Sequence, residues 1–135
     1  MKDRIFITET DFQRLRRLVD GRRGSNLSDF EYLNTLEQEL DRAEIVERDA
    51  IPHDVVTMNS EVRLKDLDSG DEKVYRLVFP GPFRGDNSVS ILAPIGTAML
   101  GYRVGDVVEW KVPRGVRRLK IAEVIYQPEA AGARQ

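Results

Sequence analysis

The chain has 135 residues, 41% hydrophobic and 33% charged, with 21 basic and 23 acidic side chains and a formal net charge of -2. That balance suits one domain, or a small domain with an appendage, and argues against a polyanion-binding surface spread over the whole protein. The absence of cysteine excludes disulfides, thiolate metal sites and a cysteine nucleophile. The opening MKDRIFITETDF is too charged for a signal peptide and no segment approaches a membrane span, so a cytoplasmic protein is expected.

Residues 1–50 read as helical. Thr8 precedes an apolar series, Phe12, Leu15, Leu18 and Val19, on one helical face, and Asp11 stands three residues after it in a variant of the capping box. Gly21 is a plausible stop, with Gly21-Arg22-Arg23-Gly24-Ser25 as a tight turn. A second start follows, either Ser28 with Glu31 or Asn26 with Asp29, ahead of Phe30, Leu33, Leu36, Leu40 and Ala43. About 20 helical residues would span about 30 Å, and Glu44 and Arg48 can pair at i,i+4 on its exposed side. Two helices joined by so short a turn form an antiparallel hairpin, the first helix shorter than the second.

Residues 51–135 read as β. Val62 and Leu64 alternate with charged residues until Asp68-Ser69-Gly70-Asp71, a turn. Further strands are expected over Lys73–Phe79, Ser88–Leu92, Asp106–Val112 and Arg117–Tyr126, with loops at Pro80-Gly81-Pro82 and Arg84-Gly85-Asp86-Asn87 and a turn at Pro113-Arg114-Gly115. A short helix fits between Gly96 and Gly101, and Glu129–Gln135 read as a loose tail. Helices grouped before strands define an α+β fold with an antiparallel sheet.

The run from Ser90 through Ala93-Pro94-Ile95-Gly96, Met99-Leu100-Gly101 and Gly105-Asp106 resembles the C-terminal domain signature of the Gre transcription elongation factors. Pro113-x-Gly115 and the strand ending at Tyr126 follow in the same order. The stretch Ile51–Ser60 and the tail Tyr126–Gly132 are more specifically similar to the Rnk family, regulators of nucleoside diphosphate kinase. The resemblance implies an FKBP-like β domain that docks on bacterial RNA polymerase near its secondary channel. It implies a helical hairpin too short to reach the active site, and competition with Gre-type factors. Partners would be the polymerase, with nucleic acid contacted only through it and no membrane; the expected state is a monomer, with no cofactor, no metal and no catalytic residue.

By resemblance the polymerase-binding residues are Leu92, Pro94, Ile95, Gly96 and Met99, with Leu92 standing where Gre factors often carry an acidic residue. Ile95 suits an interface or the core equally, and Leu100 suits the core. Carboxylates at the hairpin tip are what a cleavage factor needs to help hold magnesium. Here the tip carries Arg22 and Arg23, with Asp20 and Asp29 only flanking them, and arginines there repel a cation. The single histidine, His53, reads as a linker residue, and Ser60 and Ser69 have no base beside them in sequence. The stretch Gly101-Tyr102-Arg103-Val104-Gly105 matches no phosphate-loop pattern. Arg114, Arg117, Arg118 and Lys120 read as a solvated face before a nucleic-acid contact. A prolyl isomerase is the rival from another class, but five Phe, four Tyr and one Trp are few for both a core and an aromatic pocket. A transcript-cleavage factor is the third reading.

Overall fold

The computed structural model describes residues 5–22, 30–80, 87–112 and 115–132. Strand β1 (Phe6–Thr8) runs directly into helix α1 (Glu9–Arg22). The Thr8 hydroxyl accepts the Asp11 N–H at 3.2 Å, the cap that the Thr8–Asp11 spacing predicts. Helix α2 (Phe30–Arg42) leads into strand β2 (Glu44–Val46), and a 3-10 turn covers Arg48–Ala50. Leu15 and Val19 of α1 and Leu33, Leu36 and Leu40 of α2 are buried, as the apolar stripes require. Arg16 ties the two helices at the surface, 3.4 Å from Glu37 and 3.8 Å from Asp41.

The helical region departs from the sequence reading in several places. The chain on either side of the helices is extended, and β1 and β2 pair in parallel with Phe6 opposite Glu44 and Thr8 opposite Val46. That pairing ends α2 at Arg42, so Glu44 and Arg48 are not a helical pair; Glu44 lies in β2 and Arg48 in the 3-10 turn. Gly21 does not stop α1, which continues to Arg22: a helical glycine is disfavoured by only about 1 kcal/mol against alanine. Over the described residues α1 has 14 residues and α2 has 13, about 20 Å each. The starts proposed at Asn26 and Ser28, and the turn at 23–25, lie outside the described residues.

The second region is a five-stranded sheet in the order β5-β4-β3-β7-β6. Its strands are β3 (Glu61–Asp66), β4 (Glu72–Val78), β5 (Ser88–Ser90), β6 (Val107–Val112) and β7 (Gly115–Tyr126), with α3 (Pro94–Met99) between β5 and β6. The β3–β4 turn is built by Asp66, whose carboxylate accepts the N–H groups of Asp68 and Ser69 at 2.8 and 3.1 Å. These donors, with the Arg117 guanidinium, hold the Asp66 carboxyl below the usual carboxylate range. The sheet is mixed, not antiparallel throughout: β5 runs parallel to β4, with Leu77 opposite Val89. Parallel neighbours cannot be the two arms of a tight hairpin, so β4 and β5 are not a simple hairpin pair. The core is continuous. Ile5, Ile7 and the helical leucines join Met58, Val62, Leu64, Leu77, Ile91, Met99, Leu100, Val108 and Ile121 in one cluster.

Candidate functional site: a proline-led edge and a polar joint

Two constructions on the β domain place candidate functional residues. The first is the turn from β5 into α3. Ser90 shapes it: its carbonyl accepts the Ala93 N–H at 3.0 Å and its hydroxyl accepts the Leu92 N–H at 3.1 Å. Pro94 occupies the first turn of α3, where its missing N–H is no loss. The Thr97 hydroxyl reaches back to the Ile91 carbonyl at 2.5 Å, and the Thr97 N–H to the Ala93 carbonyl at 3.0 Å. A side chain on Gly96 would collide with the Ser90 carbonyl, so the helix packs hard onto the turn it leaves.

This packing sorts the five sequence-derived residues. Pro94 is exposed and Leu92 half-buried. Ile95 is 5% exposed, Met99 fully buried and Gly96 buried. Ile95 and Met99 thus fall on the core side of α3, because a six-residue helix over a sheet must turn its apolar positions inward. They support the edge and do not present it. Leu100 is core, as expected.

The second construction joins the helices to the sheet domain. Two backbone segments form its seat, 56–58 and the Gly101–Tyr102 turn, cross-linked by Val56 N–H to the Tyr102 carbonyl and Gly101 N–H to the Val56 carbonyl, both 2.9 Å. Onto it β1 docks through the Phe6 N–H to the Gly101 carbonyl at 3.2 Å. Gly101 sits at φ +82°, and a Cβ there would meet the Ile5 Cβ at 2.7 Å. The end of α2 docks through Arg42 and Glu39, which both hydrogen-bond the Tyr102 hydroxyl. Burial, then the facing Glu39 carboxylate, push the Tyr102 phenol well above its ordinary range. The first turn of α1 docks through Asp11, whose Oδ2 accepts the Met58 N–H at 3.1 Å. The C-terminal turn closes the joint from below. Gln127 Nε2 donates to the Pro52 and Val55 carbonyls at 2.8 Å each, and Thr57 Oγ1 donates to Glu129 at 2.7 Å. Residues 129–132 are therefore part of an ordered turn and not of a loose tail.

The remaining sequence candidates separate widely. Asp20 is exposed on α1; Arg22 ends that helix; Arg23 and Asp29 lie outside the described residues. Among the described residues no group of three metal-ligating side chains comes together. His53 is exposed in the 51–60 segment, Ser60 is buried against Thr57, and Ser69 sits in the β3–β4 turn. Arg117 pairs with Asp66 at 2.5 Å and Arg118 with Asp68 at 3.6 Å, whereas Arg114 is outside the described residues. A groove of about 280 Å³ runs past Leu64, Asp66, Lys73, Tyr75, Arg117 and Leu119, and Tyr75 is its one aromatic ring among the described residues. No helix among those residues is long and apolar enough to cross a membrane.

Comparison with known proteins places these constructions. Residues 51–126 match the family model of the transcription elongation factor GreA/GreB C-terminal domain, so the sheet, α3 and the seat of the joint form a Gre-type domain. Residues 3–46 match the Rnk N-terminus. The regulator of nucleoside diphosphate kinase from Escherichia coli (strain K12) is 42% identical over 130 residues, covering 95% of this chain and 93% of the relative. The chain belongs to the Rnk family, the regulators of nucleoside diphosphate kinase. Transcription elongation factor GreA from Thermotoga neapolitana is 38% identical over 77% of this chain, which spans only 63% of that longer protein. A solved structure described as a GreA/GreB-type elongation factor from Nitrosomonas europaea superimposes with a TM-score of 0.77 at 42% identity, over 91% of this chain and all of that one.

Proposed function

We propose that this protein is a non-catalytic transcription regulator that docks on bacterial RNA polymerase near the secondary channel and competes there with Gre-type factors. Its β domain is read as FKBP-like, the helices as an antiparallel hairpin, and the boundary between the two units as lying near Ile51. The observation that carries the reading is the pairing of a Gre-type domain with helices of 14 and 13 described residues. The domain supplies a rigid edge with Pro94 exposed and Leu92 half-buried, held by the Gly96 and Thr97 contacts, and rigid edges lose little entropy on association. A 14-residue α1 reaches about 20 Å, which suits occlusion of an entrance and not delivery of carboxylates to an active site. Competition of this kind lowers occupancy of a longer factor in proportion to this protein's concentration over its dissociation constant. The isomerase alternative draws no support from a charged groove with one aromatic ring.

The test is binding of this chain to bacterial RNA polymerase, with unlabelled GreA as competitor, followed by cleavage of a backtracked transcript. Displaceable binding with no stimulated cleavage is expected. Binding that GreA leaves unchanged overturns the shared site, stimulated cleavage overturns the non-catalytic role, and no binding at micromolar concentration overturns the reading.

A further inference from the structure

Asp11 does more than help start α1. Its side chain is 1% exposed, at the contact between the first turn of α1, the 57–60 segment and the C-terminal turn. Oδ2 accepts the Met58 N–H, but Oδ1 is buried with no hydrogen-bond partner. A buried, half-satisfied carboxylate is a poor choice for a merely structural contact, since an amide would accept the same N–H without burying charge.

Burial, with Glu129 facing it from the C-terminal turn, sets the site against ionisation. Thr57 Oγ1 gives its single proton to Glu129. Ser60 Oγ, 2.8 Å from Thr57 Oγ1, must therefore be the donor in that pair, while it accepts the Thr57 N–H at 2.9 Å. Glu129, the acceptor at the end of this chain, faces Asp11 from the C-terminal turn and acts on it with negative charge. Arg14, on α1, is the cation that opposes it, and the 57–60 segment offers Asp11 only the Met58 N–H. A proton on Oδ1 relieves the buried charge and leaves Oδ2 free to keep its bond to Met58.

We propose that the Asp11 carboxyl is a proton-operated latch, which sets how firmly the helical pair is held against the sheet domain. The Phe6–Gly101 and Arg42–Tyr102 contacts act as the standing attachment, and Asp11 as the part that tightens or slackens. Burial first, and Glu129 after it, push the Asp11 carboxyl up to about 6, against the opposing pull of the Met58 N–H, Arg14 and the Thr8 hydroxyl. Because the folded value is raised, the stabilisation is fully present below the ordinary carboxylate value of 3.8 and is lost as pH rises through about 6. The latch is closed in acid and slack at neutral pH. By linkage, any partner that selects the closed form takes up a proton on binding. None of this requires the polymerase reading.

The experiment uses the whole chain in two parts. The Met58 amide resonance is followed from pH 4.5 to 8, and the separation of spin labels at Arg17→Cys and Glu109→Cys, both exposed positions in a chain without cysteine, is measured at the two extremes. Met58 should titrate with a midpoint near pH 6, and the distance distribution should be narrow in acid and broader at pH 8. Asp11→Asn should abolish the Met58 titration and stay narrow throughout; Glu129→Gln should move the midpoint down. A Met58 amide that does not titrate between pH 5 and 7.5 overturns the latch, as does a label distribution identical at both pH values. The wild-type measurements decide the matter even if a variant fails to fold.

Discussion

The two places where other segments meet the β sheet are built on opposite principles. The edge at Leu92–Pro94 rests on apolar packing, with Ile91, Ile95, Met99 and Leu100 all under 6% exposed beneath it. The joint at Asp11, Tyr102 and Glu129 adds to the shared apolar core a set of directional hydrogen bonds among buried and part-buried polar groups. Apolar packing tolerates changes of pH and salt and gives one rigid shape, which suits a contact surface. A polar joint depends on protonation and on exact partners, so it suits a place where two units move relative to one another.

The largest effect should come from removing what both constructions rely on, close packing. Met99→Ala deletes a fully buried side chain beneath α3 and should lower stability by about 2–5 kcal/mol. Gly101→Ala attacks the joint on the same scale, about 2–4 kcal/mol, because it adds a left-handed-backbone penalty to a collision with Ile5. Gly105→Ala is the control: its φ is +98° but no atom lies within 4 Å of a new Cβ, so about 1–2 kcal/mol is expected. Urea midpoints of the three variants separate these causes. Equal losses at Gly101 and Gly105 would show that the seat does not need the close approach.

The alternating and 3.6-residue patterns made most of the sheet strands and the two apolar helical stripes legible, because each buries one face, and α3 was legible from the glycines of its stretch. The Thr8–Asp11 cap was legible because its bond spans three residues. Asp11's second bond was not, since Met58 is 47 residues away and only the fold brings it near. β1 and β2 have three residues each, too few for a period, and they exist because each has the other as partner. The parallel direction of β5 appears only in its pairing with β4, which composition does not encode. At the edge, the resemblance pointed to the turn before α3, but which of its residues face out depended on the rotation of a six-residue helix. Gln127 and Glu129 could have been noticed as polar residues directly after a strand, yet nothing local distinguishes them from a tail.

A smaller effect tests the polar character of the joint. Tyr102→Phe keeps the ring in place and removes only the hydroxyl that Arg42 and Glu39 share. The loss should be about 1 kcal/mol, the usual net value of a partly buried hydrogen bond. It should leave the apolar edge untouched. Hydrogen exchange would show the difference in place: faster exchange at the end of α2, with the Thr97 and Leu100 amides unchanged. Equal acceleration in α3 would mean that the two constructions are one cooperative unit.

The smallest effect on stability should come from Pro94→Glu, and it is the sharpest test of the contrast. Pro94 is exposed at the start of α3, where a carboxylate is compatible with the free N–H groups of the first turn, so the unfolding free energy read from urea titration should change by less than about 0.5 kcal/mol. A charge on an edge meant to press against a partner is another matter, because desolvating it without a counter-ion opposes binding. If the edge is the docking surface, affinity for polymerase should fall at least about tenfold, equivalent to about 1.4 kcal/mol. Unchanged stability with unchanged binding would move the docking surface off this turn. Lost stability would mean that the exposed proline is, after all, part of the packing it covers.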